Sequence, residues 1–266
     1  MINNTITWNS IEGNKPLAVT AIHNGNLLRK DIAEKMLISK IERLREEDPF
    51  TGELTSIGET RIIANYSRFQ VDFNRPRNKA IYIKPEDAWG LNVWNEKPTC
   101  EIIESSLREY DAFYAEAKRI FSKMEENFGY FVVFDLHSYN HLREGRDGLP
   151  ADPELNPEVN IGTGTVNKEI WAPLVNRFIS DLKNYNYFGR SLDVRENIKF
   201  KGGQFSKWIH ETFPQSGCSL SIEFKKFFMD EWSGIPDLAQ LQEIRMALES
   251  TVPGVLEELK KLGAKW

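Results

Sequence analysis

The chain has 266 residues, of which 41% are hydrophobic and 27% are charged, and its formal net charge is −5. These values are ordinary for a globular protein and give no reason to expect nucleic acid or an anionic membrane as a partner. Two cysteines in so long a chain exclude a disulfide framework. The first residues lack the pattern of a secretion signal, and no apolar stretch reaches membrane-spanning length. We therefore expect a soluble, cytoplasmic protein.

Hydrophobic periodicity predicts alternating helices and strands along the chain. Predicted strands cover residues 17–22, 61–64, 69–73, 130–135, 191–194 and 219–224, and predicted helices cover residues 28–46, 101–127, 167–183, 203–212 and 236–262, with a break in the last near Pro253. The alternation indicates the α/β class, with a mixed, mainly parallel sheet and helices on both faces. No repeat or linker divides the chain, so we predict a single domain over residues 1–266. The segment 140–164, rich in Gly, Pro and Asp, is predicted as a long loop that shapes a pocket.

Two predicted strands end in a histidine. The apolar residues 130–134 lead into Asp135 and His137, and residues 16–22 lead into His23. Open α/β sheets bind ligands at the carboxyl ends of their strands, so the two imidazoles are placed to share one metal ion. The alternative is that each histidine is a hydrogen-bonded structural residue.

The segment 67–75 combines alternating apolar residues with two arginines and an asparagine. A strand over residues 69–73 would send the apolar side chains to one face and leave Arg68, Asn74 and Arg75 on the other face or at the strand end. A guanidinium group fits a carboxylate through two parallel hydrogen bonds, so these residues are candidates for binding a substrate carboxylate. The alternative is an edge strand with solvated charges.

Glu223 lies in the apolar, strand-like run 219–224. A carboxylate in such surroundings needs a partner or has a raised pKa. Beside a metal ion, Glu223 would serve as a general base that accepts a proton from water. The structural alternative is an ion pair with Lys225 or Lys226, because alternation puts Lys225 on the same face as Glu223.

An acidic cluster, Glu46-Glu47-Asp48, ends the first predicted long helix. Acidic groups at a helix C-terminus are unfavourable to the helix dipole, which indicates another use, such as metal ligation. Asp48, fixed by the following Pro49, is the candidate third ligand. The alternative is a solvated loop.

Four segments in this order resemble the N-formylglutamate amidohydrolase family, whose fold is similar to that of the zinc carboxypeptidases. The segments are His23-Asn-Gly, Tyr66-Ser-Arg-x-x-Val-Asp-Phe-Asn-Arg75, Asp135-Leu-His-Ser-Tyr139 and Glu223 in a late strand. The resemblance implies one Zn²⁺ ion per chain bound by His23 and His137, with Glu223 as the catalytic carboxylate. Asp72 then resembles the carboxylate that orients a metal-bound imidazole.

The third metal ligand departs from the carboxypeptidase pattern. Zinc carboxypeptidases take a glutamate three residues after the first histidine, where this chain has Asn26. Asp48 matches best as the acidic ligand from further along the chain, and Glu47 and Glu59 remain alternatives.

The resemblance implies metal-dependent hydrolysis of an N-formyl or small N-acyl amide of an amino acid, such as N-formyl-L-glutamate, which would yield formate and glutamate. Either Arg68 or Arg75 would stabilise the oxyanion, and the other arginine would hold the substrate carboxylate with Asn74. Further substrate-binding candidates, including those for a second anion, are Tyr139, Arg143, Arg146 and Arg195. The alternatives are a carboxypeptidase-like or aminoacylase-like zinc hydrolase with another substrate, and a non-catalytic metal- or ligand-binding protein.

Overall fold

The computed structural model describes residues 7–266. Its strands are β1 (Trp8–Ile11), β2 (Leu17–Ala21), β3 (Thr60–Ala64), β4 (Phe131–Tyr139), β5 (Val159–Gly162), β6 (Val194–Glu196) and β7 (Gly217–Lys225). Its α-helices are α1 (Lys30–Ala33), α2 (Lys40–Glu46), α3 (Thr51–Leu54), α4 (Cys100–Phe128), α5 (Lys168–Asn184), α6 (Gln204–Thr212) and α7 (Leu238–Leu262). None of the helices formed by residues 7–266 combines the length and hydropathy that a bilayer crossing requires.

The strands form one sheet in the order β1-β3-β2-β4-β7-β5-β6. The pairs along β3-β2-β4-β7 and the pair β5–β6 are parallel, whereas β1–β3 and β5–β7 are antiparallel. Every residue of β2 and β4 is buried, which is typical of parallel strands that are covered on both faces. The predicted mixed, mainly parallel sheet is confirmed.

Helices cover both faces of the sheet. Successive side chains of β4 point to opposite faces, so Val132 belongs to the apolar layer under α5 and α7, whereas Val133 belongs to the layer under α4 and α6. Burial of a side chain such as Phe178 in these layers stabilises the fold by roughly 1.5–3 kcal/mol. The prediction of an α/β fold with helices on both faces is therefore confirmed.

The predicted helix over residues 28–46 is wrong as a single element, because α1 and α2 replace it. Ser39 begins α2: its hydroxyl accepts the Glu42 N–H, and the Glu42 carboxylate accepts the Ser39 N–H. This reciprocal pair fixes an extended backbone at Ser39, which interrupts any continuous helix. The chain between the two helices instead forms a backbone bridge from Met36 to Trp94.

The predicted strand over residues 69–73 is also wrong, because the segment has no strand and contains turns. Its apolar side chains and the carboxylate of Asp72 are all buried, so the alternative of an edge strand with solvated charges is wrong too. The cause is a buried network centred on Asp72. Its oxygens accept the Asn74 N–H at 2.7 Å, the Arg68 guanidinium at 2.9 Å and the Tyr82 hydroxyl.

Three further differences concern the sheet edges and the last helix. β1 is absent from the predicted elements, β5 lies inside the predicted loop 140–164, and β6 overlaps the predicted strand 191–194 only at Val194. α7 continues through Pro253 without a break. The proline deprives the Glu249 carbonyl of its intrahelical donor, and Glu249 is an exposed residue.

Candidate active site

The three central strands bring two histidines and a glutamate to one edge of the sheet. His23 follows β2 by two residues, whereas His137 and Glu223 lie near the carboxyl ends of β4 and β7. His137 and Glu223 are direct partners in the parallel pairing of these strands. All three side chains border a cavity of about 230 Å³. Small-molecule pockets typically measure roughly 300–1,000 Å³, so this cavity suits a ligand at the small end.

His23, Asp48 and His137 form a buried cluster whose candidate ligand atoms lie within 4.8 Å of one another. Asp48 Oδ2 is 3.3 Å from His23 Nδ1 and 3.0 Å from His137 Nδ1. Among the described residues, no group hydrogen-bonds the buried His23 Nδ1. Two imidazoles and a carboxylate are a donor set that catalytic zinc sites use, so these residues fit a metal ion.

Carboxylates on the far side of each ring fix both histidines. His23 Nε2 donates to Asp72 at 2.7 Å, and His137 Nε2 donates to Asp135 at 2.9 Å. Each ring then turns its Nδ1 towards Asp48, where that nitrogen is placed to bind a metal ion. Nδ1 of both rings and Asp48 Oδ2 therefore face one another, as the ligands of one ion would.

Asp135 is a site residue to which the sequence analysis assigns no role. It precedes His137 by two residues on β4, so both side chains lie on the same face of the strand. The hydroxyl of Thr20 on β2 donates to Asp135 at 2.8 Å and fixes the carboxylate. The signal that identifies such a residue is an acid two positions before a histidine at a strand end.

Neighbouring cations and histidines lower the pKa of the buried carboxylates. Burial alone would raise the pKa of Asp72, yet the Arg68 guanidinium and His23 hold it well below its ordinary value. Burial would also raise the pKa of Asp48, but the two adjacent histidines outweigh that effect and lower it. Both carboxylates are therefore ionised at neutral pH.

Of the three acidic candidates for the third ligand, the structure brings Asp48 to the histidines. The Asp48 N–H donates to the His23 carbonyl oxygen at 2.9 Å, which holds the turn after α2 against the end of β2. Glu47 instead pairs with Arg43 at 3.0 Å, and Glu59 is exposed. Asp48 itself is 2% exposed, so the alternative of a solvated loop is wrong.

Glu223 has no ion pair with either neighbouring lysine. Lys225 Nζ donates to the Asn156 carbonyl at 3.1 Å. Lys226 Nζ donates to the Glu47 carbonyl at 2.7 Å, so the structural alternative of a lysine–glutamate pair is wrong. Burial raises the pKa of Glu223 to about 7, where a carboxylate both accepts and releases protons at neutral pH.

Arg68, Asn74 and Arg75 all border the cavity. The Arg68 side chain is 12% exposed and pairs with Asp72 at 2.9 Å. The Arg75 side chain is 39% exposed and lies 3.8 Å from Asp72, so more of its donors face outward. Asn74 Oδ1 accepts a backbone N–H from the first turn of α6 at 3.0 Å. This approach requires Gly203, because a Cβ there would lie 2.2 Å from Asn74 Oδ1.

The remaining substrate-binding candidates divide between the cavity and the surface. Tyr139 borders the cavity, and its hydroxyl donates to a backbone carbonyl. Arg195 does not border it: the guanidinium binds backbone carbonyls and pairs with Asp193 at 2.9 Å. Arg146 is exposed and pairs with a surface carboxylate at 3.4 Å. Arg143 borders the cavity, where its guanidinium donates to both carboxylate oxygens of Glu46 at 3.0 Å.

Cationic side chains outnumber acidic ones around the cavity. The cations are Arg45, Arg68, Arg75, Arg143, Lys201 and Lys226, and the acids are Glu46, Asp48 and Glu223. The excess of positive charge favours an anionic ligand.

Fold and site together define an α/β protein with a hydrolase-type active site: three potential metal ligands, a neighbouring carboxylate and an anion-binding cavity. The family model for N-formylglutamate amidohydrolase matches residues 15–229. The chain belongs to this family.

Three relatives show how far the similarity extends. An N-formylglutamate deformylase from Pseudomonas putida is 24% identical over 214 residues, which cover 74% of this chain and 75% of the relative. A solved N-formylglutamate amidohydrolase from Ralstonia eutropha JMP134 has a TM-score of 0.76 and 16% identity, and the match covers 96% of this chain and 99% of that one. A solved gene product from Agrobacterium tumefaciens has a TM-score of 0.64 and 15% identity, with 91% and 92% covered. At these identities, the two solved structures show a shared fold.

Proposed function

We propose that the protein hydrolyses the formyl amide bond of N-formyl-L-glutamate and releases formate and glutamate. The observation that carries the proposal is the pairing of His137 with Glu223 across β4 and β7, which sets a proton acceptor beside the buried histidine–aspartate cluster. Family membership and the name of the Pseudomonas putida relative support the formyl amide as substrate. The cationic cavity suits a ligand with two carboxylates.

His23 Nδ1, Asp48 and His137 Nδ1 would hold one Zn²⁺ ion per chain. When bound, such an ion supplies Lewis-acid chemistry that activates water at neutral pH. Asp72 and Asp135 keep the two imidazoles oriented by accepting their Nε2–H groups.

The chain's own residues position the substrate and move the proton. Glu223 accepts a proton from the attacking water, holds it on its carboxylate and transfers it to the nitrogen of the leaving glutamate. Arg68, fixed by Asp72, donates to the oxygen on which negative charge develops. Arg75 binds the substrate α-carboxylate with Asn74, because the less restrained guanidinium is free to form two parallel hydrogen bonds.

A substrate panel tests this function. The purified protein is assayed for release of free amine from N-formyl, N-acetyl and N-succinyl derivatives of glutamate and of a neutral amino acid, before and after treatment with a chelator. We expect N-formyl-L-glutamate to give the highest kcat/KM, and we expect activity to disappear on chelation and return with Zn²⁺. Preference for another acyl group would assign an aminoacylase instead, and ligand binding without amine release would contradict catalysis.

A further inference from the structure

Asn140 follows the last residue of β4 and borders the cavity, where it is 2% exposed. Its Nδ2 group donates to Glu46 Oε1 at 3.1 Å. Arg143 holds Glu46 in place by donating to both carboxylate oxygens at 3.0 Å. Exchanging the nitrogen and oxygen of the Asn140 amide would set two oxygens against each other, so Glu46 fixes the orientation of the amide.

The opposite end of this amide has no partner. Asn140 Oδ1 is buried, and no donor among residues 7–266 hydrogen-bonds it. Asn74, the other asparagine at the cavity, differs because its Oδ1 accepts a backbone N–H. Leaving a buried carbonyl oxygen without a donor is costly, and native proteins rarely do so. Since Asn140 borders the same cavity as Glu223, a ligand held in that cavity is the candidate donor.

We propose that Asn140 Oδ1 accepts a hydrogen bond from the nitrogen of the ligand, first from the amide N–H of the substrate and then from the amine of the product. The inference rests on the proposed function and deepens it by assigning recognition of the scissile amide to one residue. An ester has an oxygen in place of the N–H and donates nothing to Asn140. The site therefore selects amides over esters of the same shape, and Glu46 is a positioning residue for that selection.

The kinetic test compares N-formyl-L-glutamate with its ester isostere, 2-formyloxyglutarate. The wild-type protein is assayed beside Asn140→Ala and the matched control Asn184→Ala, which replaces an exposed asparagine at the end of α5. We expect Asn140→Ala to lower kcat/KM for the amide about 10–100-fold and for the ester less than about threefold, since only the amide loses a hydrogen bond. Equal losses for the two substrates would overturn the inference.

Glu46→Gln gives a readout that a purely structural role would not move. A glutamine both donates and accepts, so it permits the Asn140 amide to turn around. We expect this variant to lose most of its preference for amide over ester, and we expect adding Asn140→Ala to lower the preference little further. A preference that Glu46→Gln leaves at the wild-type value would contradict the positioning role.

Ligand binding separates this inference from the proposed function, because it requires no turnover. L-Glutamate carries an amine and glutarate does not, so calorimetric titration of both measures the contact directly. We expect Asn140→Ala to weaken glutamate binding at least about tenfold and glutarate binding less than about threefold. Asn140→Ser serves the same comparison if the alanine variant does not fold. Equal weakening of both ligands, or a wild-type protein that does not prefer glutamate, would overturn the role of Asn140 even if formyl amides are hydrolysed.

Discussion

Glu223 differs from the other carboxylates that border the cavity in having no protein partner. Glu46 is paired with Arg143, and Asp48 lies against two histidines. In the described part of the chain, no side chain forms an ion pair or hydrogen bond with the Glu223 carboxylate. A buried carboxylate that stays free in this position remains available for proton transfer.

Replacing Glu223 with glutamine tests that role. Glutamine keeps the shape of the side chain but accepts no proton, so we expect kcat to fall about 10²–10⁴-fold. The zinc content, measured by elemental analysis, and the melting temperature should stay at wild-type values. The control Glu211→Gln, at an exposed position of α6, should leave kcat, zinc content and melting temperature unchanged. Activity within a few-fold of wild type would assign Glu223 a structural role.

The sequence identifies site residues that follow apolar runs better than those that act from loops. His137 and Glu223 stand out because each belongs to a strand-like segment where polar groups are unusual. Asn140 does not stand out, because the orientation of its amide depends on Glu46, which lies 94 residues away in the sequence. Arg195 is assigned to substrate binding from its charge alone, and charge does not reveal that backbone carbonyls already occupy its guanidinium.

Among the elements, the two wrong segments fail for different reasons. The division of residues 28–46 is encoded locally, because Ser39 and Glu42 have the spacing of a capping box, which overrides the apolar periodicity. The turns over residues 69–73 are encoded locally only in part. The short-range contacts of Asp72 with Arg68 and Asn74 are completed by Tyr82, 10 residues away, and by His23, 49 residues away, and the alternating pattern shows neither distant partner.

His210 connects α6, whose first turn holds Asn74, to β7, which carries Glu223. Its Nε2 accepts the Ser219 N–H at 2.9 Å, and its Nδ1 donates to the Thr165 hydroxyl at 2.7 Å. The bond from Ser219 requires the neutral ring, because a protonated Nε2 accepts nothing. Burial lowers the pKa of His210 from its ordinary value of 6.5 to about 4, because the charged form would lose hydration.

This lowered pKa predicts a pH dependence of stability. Below pH 6.5 the unfolded chain protonates His210 while the folded chain does not, so the free energy of unfolding should fall by roughly 3 kcal/mol between pH 6.5 and about 4. His210→Gln removes this titration, and denaturant unfolding at several pH values should show a shallower decline than for wild type. Identical slopes for the two proteins over that range would rule out a neutral buried His210.

At the scale of the whole molecule, the cluster of His23, Asp48 and His137 exists only once the sheet has formed. Asp48 and His137 are 89 residues apart in the sequence, and β2 lies beside β4 although β3 separates them in the chain. The unfolded chain therefore has no preformed site, and an ion bound to the cluster stabilises the folded state alone.

Removing the metal should lower the melting temperature. With free Zn²⁺ at 1,000 times its Kd, the stabilisation is about 4 kcal/mol, which corresponds to roughly 8–16 °C for a chain of this size. Scanning calorimetry with and without a chelator measures the shift, and His137→Ala should show almost none because it lacks a ligand. If neither the chelator nor added Zn²⁺ changes the melting temperature of the wild-type protein, the cluster binds no metal.

Glu46, Glu47 and Asp48 are consecutive, yet each carboxylate meets a different partner. The partners are Arg143 for Glu46, Arg43 for Glu47 and the two site histidines for Asp48. In evolutionary terms, these three contacts are inherited as one unit, because a single inserted or deleted residue before them would misplace all three carboxylates together. Changes of chain length should therefore be purged over residues 40–48, where divergence is confined to one-for-one replacements.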